Sequence, residues 1–69
     1  MRFQNGDIVK IAKTSRFYME GRRNNPKDTE GTLRRDNTHF NNYQYKVNWG
    51  EGRAAWYNDI DLRLVRRPQ

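Results

Sequence analysis

A chain of 69 residues with no cysteine admits one small domain and removes disulfides and thiolate metal sites as sources of stability. Fourteen Lys and Arg against eight Asp and Glu leave a formal charge of +6, which favours polyanionic partners, nucleic acid before an anionic membrane surface. No apolar run approaches the roughly 20 residues of a membrane span, and the opening MRFQNGDIVK lacks the apolar stretch of a signal peptide, so the expectation is a soluble, cytoplasmic protein with no membrane partner.

Phe3 lies ahead of a Gly6-Asp7 turn signal and is placed to cover one end of the core. Residues 8–12 read as a first strand with Val9 and Ile11 inward. Residues 13–30, KTSRFYMEGRRNNPKDTE, hold no sustained period and are broken by Gly21 and Asn24-Asn25-Pro26. They read as a long loop, the kind that is functional when it occurs in a small domain. Phe17 and Tyr18 imply that part of it folds back onto the body. Residues 31–35 form a second strand with Leu33 inward, and 36–42 form a polar turn region.

The clearest signal lies in residues 43–57, YQYKVNWGEGRAAWY. Tyr43, Tyr45, Val47 and Trp49 fall on one face of an extended strand, with Gln44, Lys46 and Asn48 on the other. Gly50-Glu51-Gly52 supplies the positive φ of a tight turn, and Arg53 to Tyr57 returns as the fourth strand. Asn58-Asp59-Ile60 suits one 3-10 turn. Residues 61–65 form the fifth strand with Leu62 and Leu64 on one face, and 66–69 read as a frayed basic tail. A lone hairpin is unstable in water. The expectation is therefore an all-β, five-stranded small barrel over residues 1–69, closed or nearly so, since closure removes unpaired edges.

The ordered set Gly6-Asp7-x-Val9-x-Ile11, Ser15-x-Phe17-Tyr18, Gly31-Thr32-Leu33, Tyr45-x-Val47-x-Trp49-Gly50-x-Gly52 and Tyr57-x-x-x-Asp61-Leu62-x-Leu64 resembles the small SH3-like barrels of the Tudor, chromo, KOW and mind-bomb repeat type. Small phage-encoded proteins often look similar. The resemblance implies a five-stranded SH3-like barrel with one 3-10 turn before the last strand. It also implies that Val47, Tyr57, Leu62 and Leu64 belong to the core. The sequence departs from that pattern at Ala54-Ala55-Trp56, where a small polar residue is usual before the tyrosine. If Tyr57 points inward, Trp56 points outward.

Catalytic chemistry finds little footing. His39 is the sole histidine and stands in a polar turn with no nucleophile or ligand set around it. Asp59 and Asp61 alternate, and one of them is placed to cap the 3-10 turn. Phosphate-loop and dinucleotide fingerprints are missing. The expectation is no enzyme, no catalytic residue, no cofactor and no metal.

Basic residues interleaved with aromatics are the stronger constellation. Lys10, Lys13, Arg16, Arg22 and Arg23 run along the first strand and the long loop. Arg34 and Arg35 end the second strand, and Arg63, Arg66 and Arg67 lie near the C-terminus. Guanidinium groups hold phosphate through paired hydrogen bonds and stack on bases. Phe17, Tyr18 and Trp56 offer stacking surfaces, although the first two serve equally well as anchors for the loop. The candidate nucleic-acid-binding set is Lys10, Lys13, Arg16, Arg22, Arg23, Arg34, Arg35 and Trp56.

A Tudor-like resemblance also raises an aromatic cage for methylated lysine or arginine, drawn from Tyr43, Trp49, Trp56 and Tyr57. Inward positions for Trp49 and Tyr57 and the net positive charge weigh against it. The leading expectation is low-specificity nucleic-acid binding, DNA before RNA, by a monomer or weak homodimer. The alternative is an adaptor or inhibitor acting on an acidic protein partner, such as a phage protein acting on a host.

Overall fold

The structure is a computed structural model that describes residues 3–36 and 43–68. Most of the expected polar turn, His39 included, lies outside the described residues. The elements are β1 (Ile8–Ile11), α1 (Arg16–Glu20), β2 (Gly31–Arg35), β3 (Tyr45–Gly50), β4 (Arg53–Tyr57), a 3-10 turn (Asp59–Asp61) and β5 (Leu62–Arg66). The strands form one antiparallel sheet in the order β4-β3-β2-β1-β5. Among the described residues β4 and β5 are its two edges, so the hydrogen-bonded sheet is not closed.

Period-two alternation sets the core. Val9, Ile11, Leu33, Tyr45, Val47, Trp49, Tyr57 and Leu62 are buried together with Phe3. They come mostly from the five strands, and among the described residues the regular structure packed over them besides the sheet is the short helix α1, through Phe17 and Tyr18. The molecule measures 29 × 27 × 24 Å, far from the single slab a flat sheet would make. The sheet therefore curls around its own inner face. Aromatic edges fasten that interior: Phe3 meets Tyr45 at 5.3 Å and Trp49 meets Tyr57 at 5.9 Å, both edge to face, a geometry favoured by the ring quadrupoles. Gly31 is dictated by this packing, because a Cβ there would lie 2.5 Å from the Trp49 ring and 2.6 Å from Val47.

The β3–β4 turn follows the Gly50-Glu51-Gly52 signal. Glu51 and Gly52 have φ of 56° and 74°, positive at both central positions as a type I′ hairpin requires. The ladder skips from Asn48↔Ala54 to Gly50↔Arg53, which leaves Trp49 as the extra residue of a bulge.

The segment 13–30 is not wholly loop. Residues Arg16–Glu20 form one short helix, started by the Ser15 hydroxyl accepting from the Phe17 N–H (3.1 Å) and stopped by Gly21 at φ 59°. A good N-cap and a glycine C-cap suffice for a single turn, which is too brief to show a helical period. Phe17 packs edge-on against Tyr57 at 5.4 Å. The Tyr57 hydroxyl accepts from Trp49 Nε1 (3.2 Å) and faces the Asn24 carbonyl (3.0 Å) and Asn25 Oδ1, donating its one proton to either. Burial pushes the Tyr57 phenol up to about 12, opposed by the indole donor and reinforced by the charges of Asp61 and Glu20.

Two further expectations are corrected. Leu64 is 40% exposed and does not join Leu62 in the core. The β1–β5 register jumps from Val9↔Leu64 to Ile8↔Arg66, so Val65 is a bulge residue, and among the described residues no further strand pairs with the outer edge of β5 to cover Leu64. Nor is the C-terminus frayed through Arg66 and Arg67. Strand β5 includes Arg66, which meets Glu30 at 2.8 Å, and Arg67 is held by Asp7. A carboxylate as buried as Asp7 requires a counter-charge.

Candidate nucleic-acid interface

The outward face of the sheet follows from the same alternation. With Leu33, Val47 and Tyr57 inward, Thr32 and Arg34 on β2, Lys46 and Asn48 on β3 and Trp56 on β4 turn outward. Register aligns them in rows. Arg34 stands opposite Lys46, which stands opposite Trp56; Thr32 stands opposite Asn48, which stands opposite Ala54. On the far side of the sheet Lys10 stands opposite Arg63.

Two like-charge pairs thus face each other directly across ladders. Such pairs are unfavourable unless something anionic intervenes. Among the described residues no ion pair joins Lys10, Arg34, Lys46 or Arg63 to an acidic side chain.

Trp56 does point opposite to Tyr57, but it is half-buried. Its Nε1–H donates to Asp36 Oδ2 (3.1 Å), and the Lys46 ammonium lies 5.2 Å from the ring centroid. The indole is held in one orientation and carries a cation on its surface.

The remaining candidates are dispersed. Lys13 is exposed just before α1. The Arg16 guanidinium lies 5.0 Å from the Phe17 ring centroid and donates to the Tyr43 hydroxyl at 3.4 Å. Arg22 lies 3.8 Å from Glu20 in an exposed pair. Arg23 donates to the Glu51 carbonyl (3.4 Å) and so reaches the β3–β4 turn. Arg35, adjacent to Arg34, has the opposite strand parity and is exposed at the end of β2, opposite Tyr45; its backbone N–H donates to Asn5 Oδ1 (2.7 Å). Of the eight candidates, Lys10, Arg34 and Trp56 share the outward sheet face, while the loop arginines occupy other regions.

Three contributors to that face, Thr32, Lys46 and Asn48, are absent from the candidate set. Alternation in YQYKVNW marks Lys46 and Asn48 as outward, but only the ladder register shows that they stand beside Arg34 and Thr32. Phe17 and Tyr18 are partly buried against the core, so they anchor the loop. Tyr18 also donates from its hydroxyl to Asp28 (3.2 Å). Trp49 and Tyr57, at 5% and 0% exposure, are core residues, which leaves a methyl-lysine cage without two of its four rings.

A concavity of about 410 Å³ is lined in part by Arg16, Phe17, Tyr43 and Ile60. Its floor is organised by Asp61, which accepts from the Ser15 hydroxyl (3.0 Å) and from the Asn58 N–H (3.3 Å). Asn58 is the N-cap of the 3-10 turn and Asp61 answers it from the third position of a capping box, while the Ser15 bond ties that turn to the start of α1. No cluster of three or more metal-ligating side chains occurs among the described residues, and none of their helices is long and apolar enough to cross a membrane. Comparison with protein families, curated proteins and solved structures finds no match for the chain, so the interface rests on the geometry of its own residues.

Proposed function

We propose that the domain binds nucleic acid without catalysis, through Lys and Arg contacts to phosphate oxygens and with little base specificity. Duplex DNA is the first ligand and RNA the second. The observation that carries this reading is two outward like-charge contacts on separate ladders, Arg34 against Lys46 and Lys10 against Arg63, neither with a carboxylate ion pair among the described residues. An incoming polyanion relieves their repulsion. Strand order, the 3-10 turn before β5 and the curled sheet support a small SH3-like barrel of the Tudor, chromo, KOW or mind-bomb repeat type as the scaffold. Among the described residues the one α-helix has five residues, too short to serve as a recognition helix, so helix-in-groove readout of bases is not part of this reading.

The test is a fluorescence-anisotropy titration of a random duplex and a random single strand at several salt concentrations. Released counterions should give a slope of log K against log salt near −0.9 per phosphate contact on duplex. Absence of binding to both at low salt overturns the proposal.

A second reading, docking onto an acidic protein, is favoured by a different observation. Met19 and Ile60 are 81% and 72% exposed, and Ile60 shares a cleft with Phe17, Tyr43 and Arg16. Capture from lysate with and without nuclease separates the two readings, since only a nucleic-acid-mediated association is lost on digestion.

A further inference from the structure

We infer that Thr32, Arg34, Lys46 and Asn48 together form a seat for one phosphate group of a polynucleotide backbone. The inference rests on the nucleic-acid reading and names where the ligand's anionic group sits.

Register places Arg34 against Lys46 and Thr32 against Asn48 in adjacent outward rows. The four side chains are therefore corners of a rectangle. Its short sides are a cross-strand Cβ spacing of about 5 Å, and its long sides are two residues of strand, about 7 Å. They line a surface depression of about 380 Å³, at the small end of the roughly 300–1,000 Å³ typical of ligand sites.

Every corner offers a donor. Arg34 brings a planar guanidinium and Lys46 an ammonium. Thr32 brings a hydroxyl. Asn48 commits its Oδ1 to the Gly50 N–H (2.9 Å), which leaves its amide NH2 to donate elsewhere. No carboxylate lines the depression. Asp36, two residues beyond Arg34, accepts from the Trp56 indole, and Trp56 in turn holds Lys46 at the rim.

A diffuse electrostatic patch requires charge alone. Here two uncharged donors face each other beside two cations. That combination supplies both the charge and the directional hydrogen bonds of a phosphate contact. A backbone phosphodiester carries its negative charge on two non-bridging oxygens, which match the two cations, and its two ester oxygens sit on the same phosphorus within the span of the hydroxyl and amide donors.

The experiment follows amide and side-chain resonances on adding a short random-sequence duplex, with inorganic phosphate as a separate arm. Resonances of Thr32, Arg34 Nε–H and the Asn48 side-chain NH2 should move together along one binding curve. Thr32→Val, which changes no charge, should weaken duplex binding about threefold to tenfold, the range of one hydrogen bond. Arg34→Gln with Lys46→Gln should weaken it more than Lys13→Gln with Arg35→Gln, although both pairs remove the same charge.

Binding that leaves these resonances still and moves those of Arg22 and Arg23 overturns the seat while the nucleic-acid reading stands. So does a Thr32→Val variant with unchanged affinity. Saturation by inorganic phosphate without competition from the duplex overturns the backbone assignment. No binding of the duplex at low salt overturns both readings.

Discussion

Arg67 grips Asp7 in a two-point contact between opposite ends of the chain, Nε to Oδ1 at 2.9 Å and an Nη to Oδ2 at 2.8 Å. Asp7 is 1% exposed and also accepts from the Gln4 N–H at 2.9 Å. The Arg67 hydrogen bonds hold its carboxyl below the ordinary value of 3.8, against the opposing effect of burial. A carboxyl with a lowered folded-state pKa stabilises the fold above its unfolded pKa, and that contribution is lost as pH falls through the folded value. Thermal melts should therefore drop as pH falls below about 4. Asp7→Asn should lower the melting temperature at neutral pH and flatten this acid limb. An unchanged acid limb in Asp7→Asn would remove the pair from the account of stability.

Tyr57 governs the opposite end of the pH range. Its phenol is pushed up to about 12, whereas an unfolded tyrosine ionises near 10. Between those values the unfolded chain has released a proton that the folded chain keeps. Stability is thus complete below about pH 10 and declines as pH rises toward about 12, by roughly 2–3 kcal/mol. Tyr57→Phe should be less stable at neutral pH, because Trp49 and the Asn24–Asn25 segment lose their partner. It should also show a shallower alkaline decline, checked by denaturant unfolding at stepped pH.

The two tryptophans should separate cleanly. Trp49→Ala opens the core and should cost about 3–5 kcal/mol. Trp56→Ala removes one hydrogen bond and a half-buried ring on the outward face and should cost about 1–2 kcal/mol. Equal losses in urea melts would place Trp56 in the core and withdraw it from the interface.

Gly31→Ala should destabilise by about 1–3 kcal/mol through overpacking against the Trp49 ring. Combining it with Trp49→Phe should recover part of that loss, so the two changes should be non-additive in a double-mutant cycle. Additive costs would show that the ring is not what excludes a side chain at position 31.

Glu51 takes a left-handed φ of 56° that suits Asn far better than Glu. Glu51→Asn should stabilise by about 0.5–1 kcal/mol, read by chemical denaturation. Arg23 bonds only the backbone carbonyl at this position, so that contact should survive.

How far these features could be foreseen depends on their range along the chain. Period-two alternation put Val9, Ile11 and Leu33 inward and Tyr45, Val47 and Trp49 on one face, because a strand's faces are written in consecutive residues, whereas core positions for Tyr57 and Leu62 came from the SH3-like resemblance. At Leu64 the parity holds, since Leu64 pairs with the inward Val9, but its place on an edge strand leaves it 40% exposed. The helix at Arg16–Glu20 spans too few residues to display one. The Asp7–Arg67 contact joins groups 60 residues apart and has no local signature. The interface suffered most from this limit. Arg34 and Arg35 look like a pair in the sequence, yet pleating sends them to opposite sides, and the true neighbour of Arg34 is Lys46 on the next strand.

Hydrogen bonding at Tyr57 also changes what the 13–30 segment can contribute to recognition. Arg22 and Arg23 immediately precede Asn24 and Asn25, whose carbonyl and side-chain oxygens face the Tyr57 hydroxyl. The main chain carrying both arginines is therefore moored to the interior before any ligand arrives. Fixing a backbone residue costs about 1–2 kcal/mol of conformational entropy, and for this stretch the cost falls on folding instead of on association. Had Arg22 and Arg23 an anion to hold, only their side-chain torsions would remain to be restrained, which is the thermodynamic advantage of a preorganised arm over a flexible one.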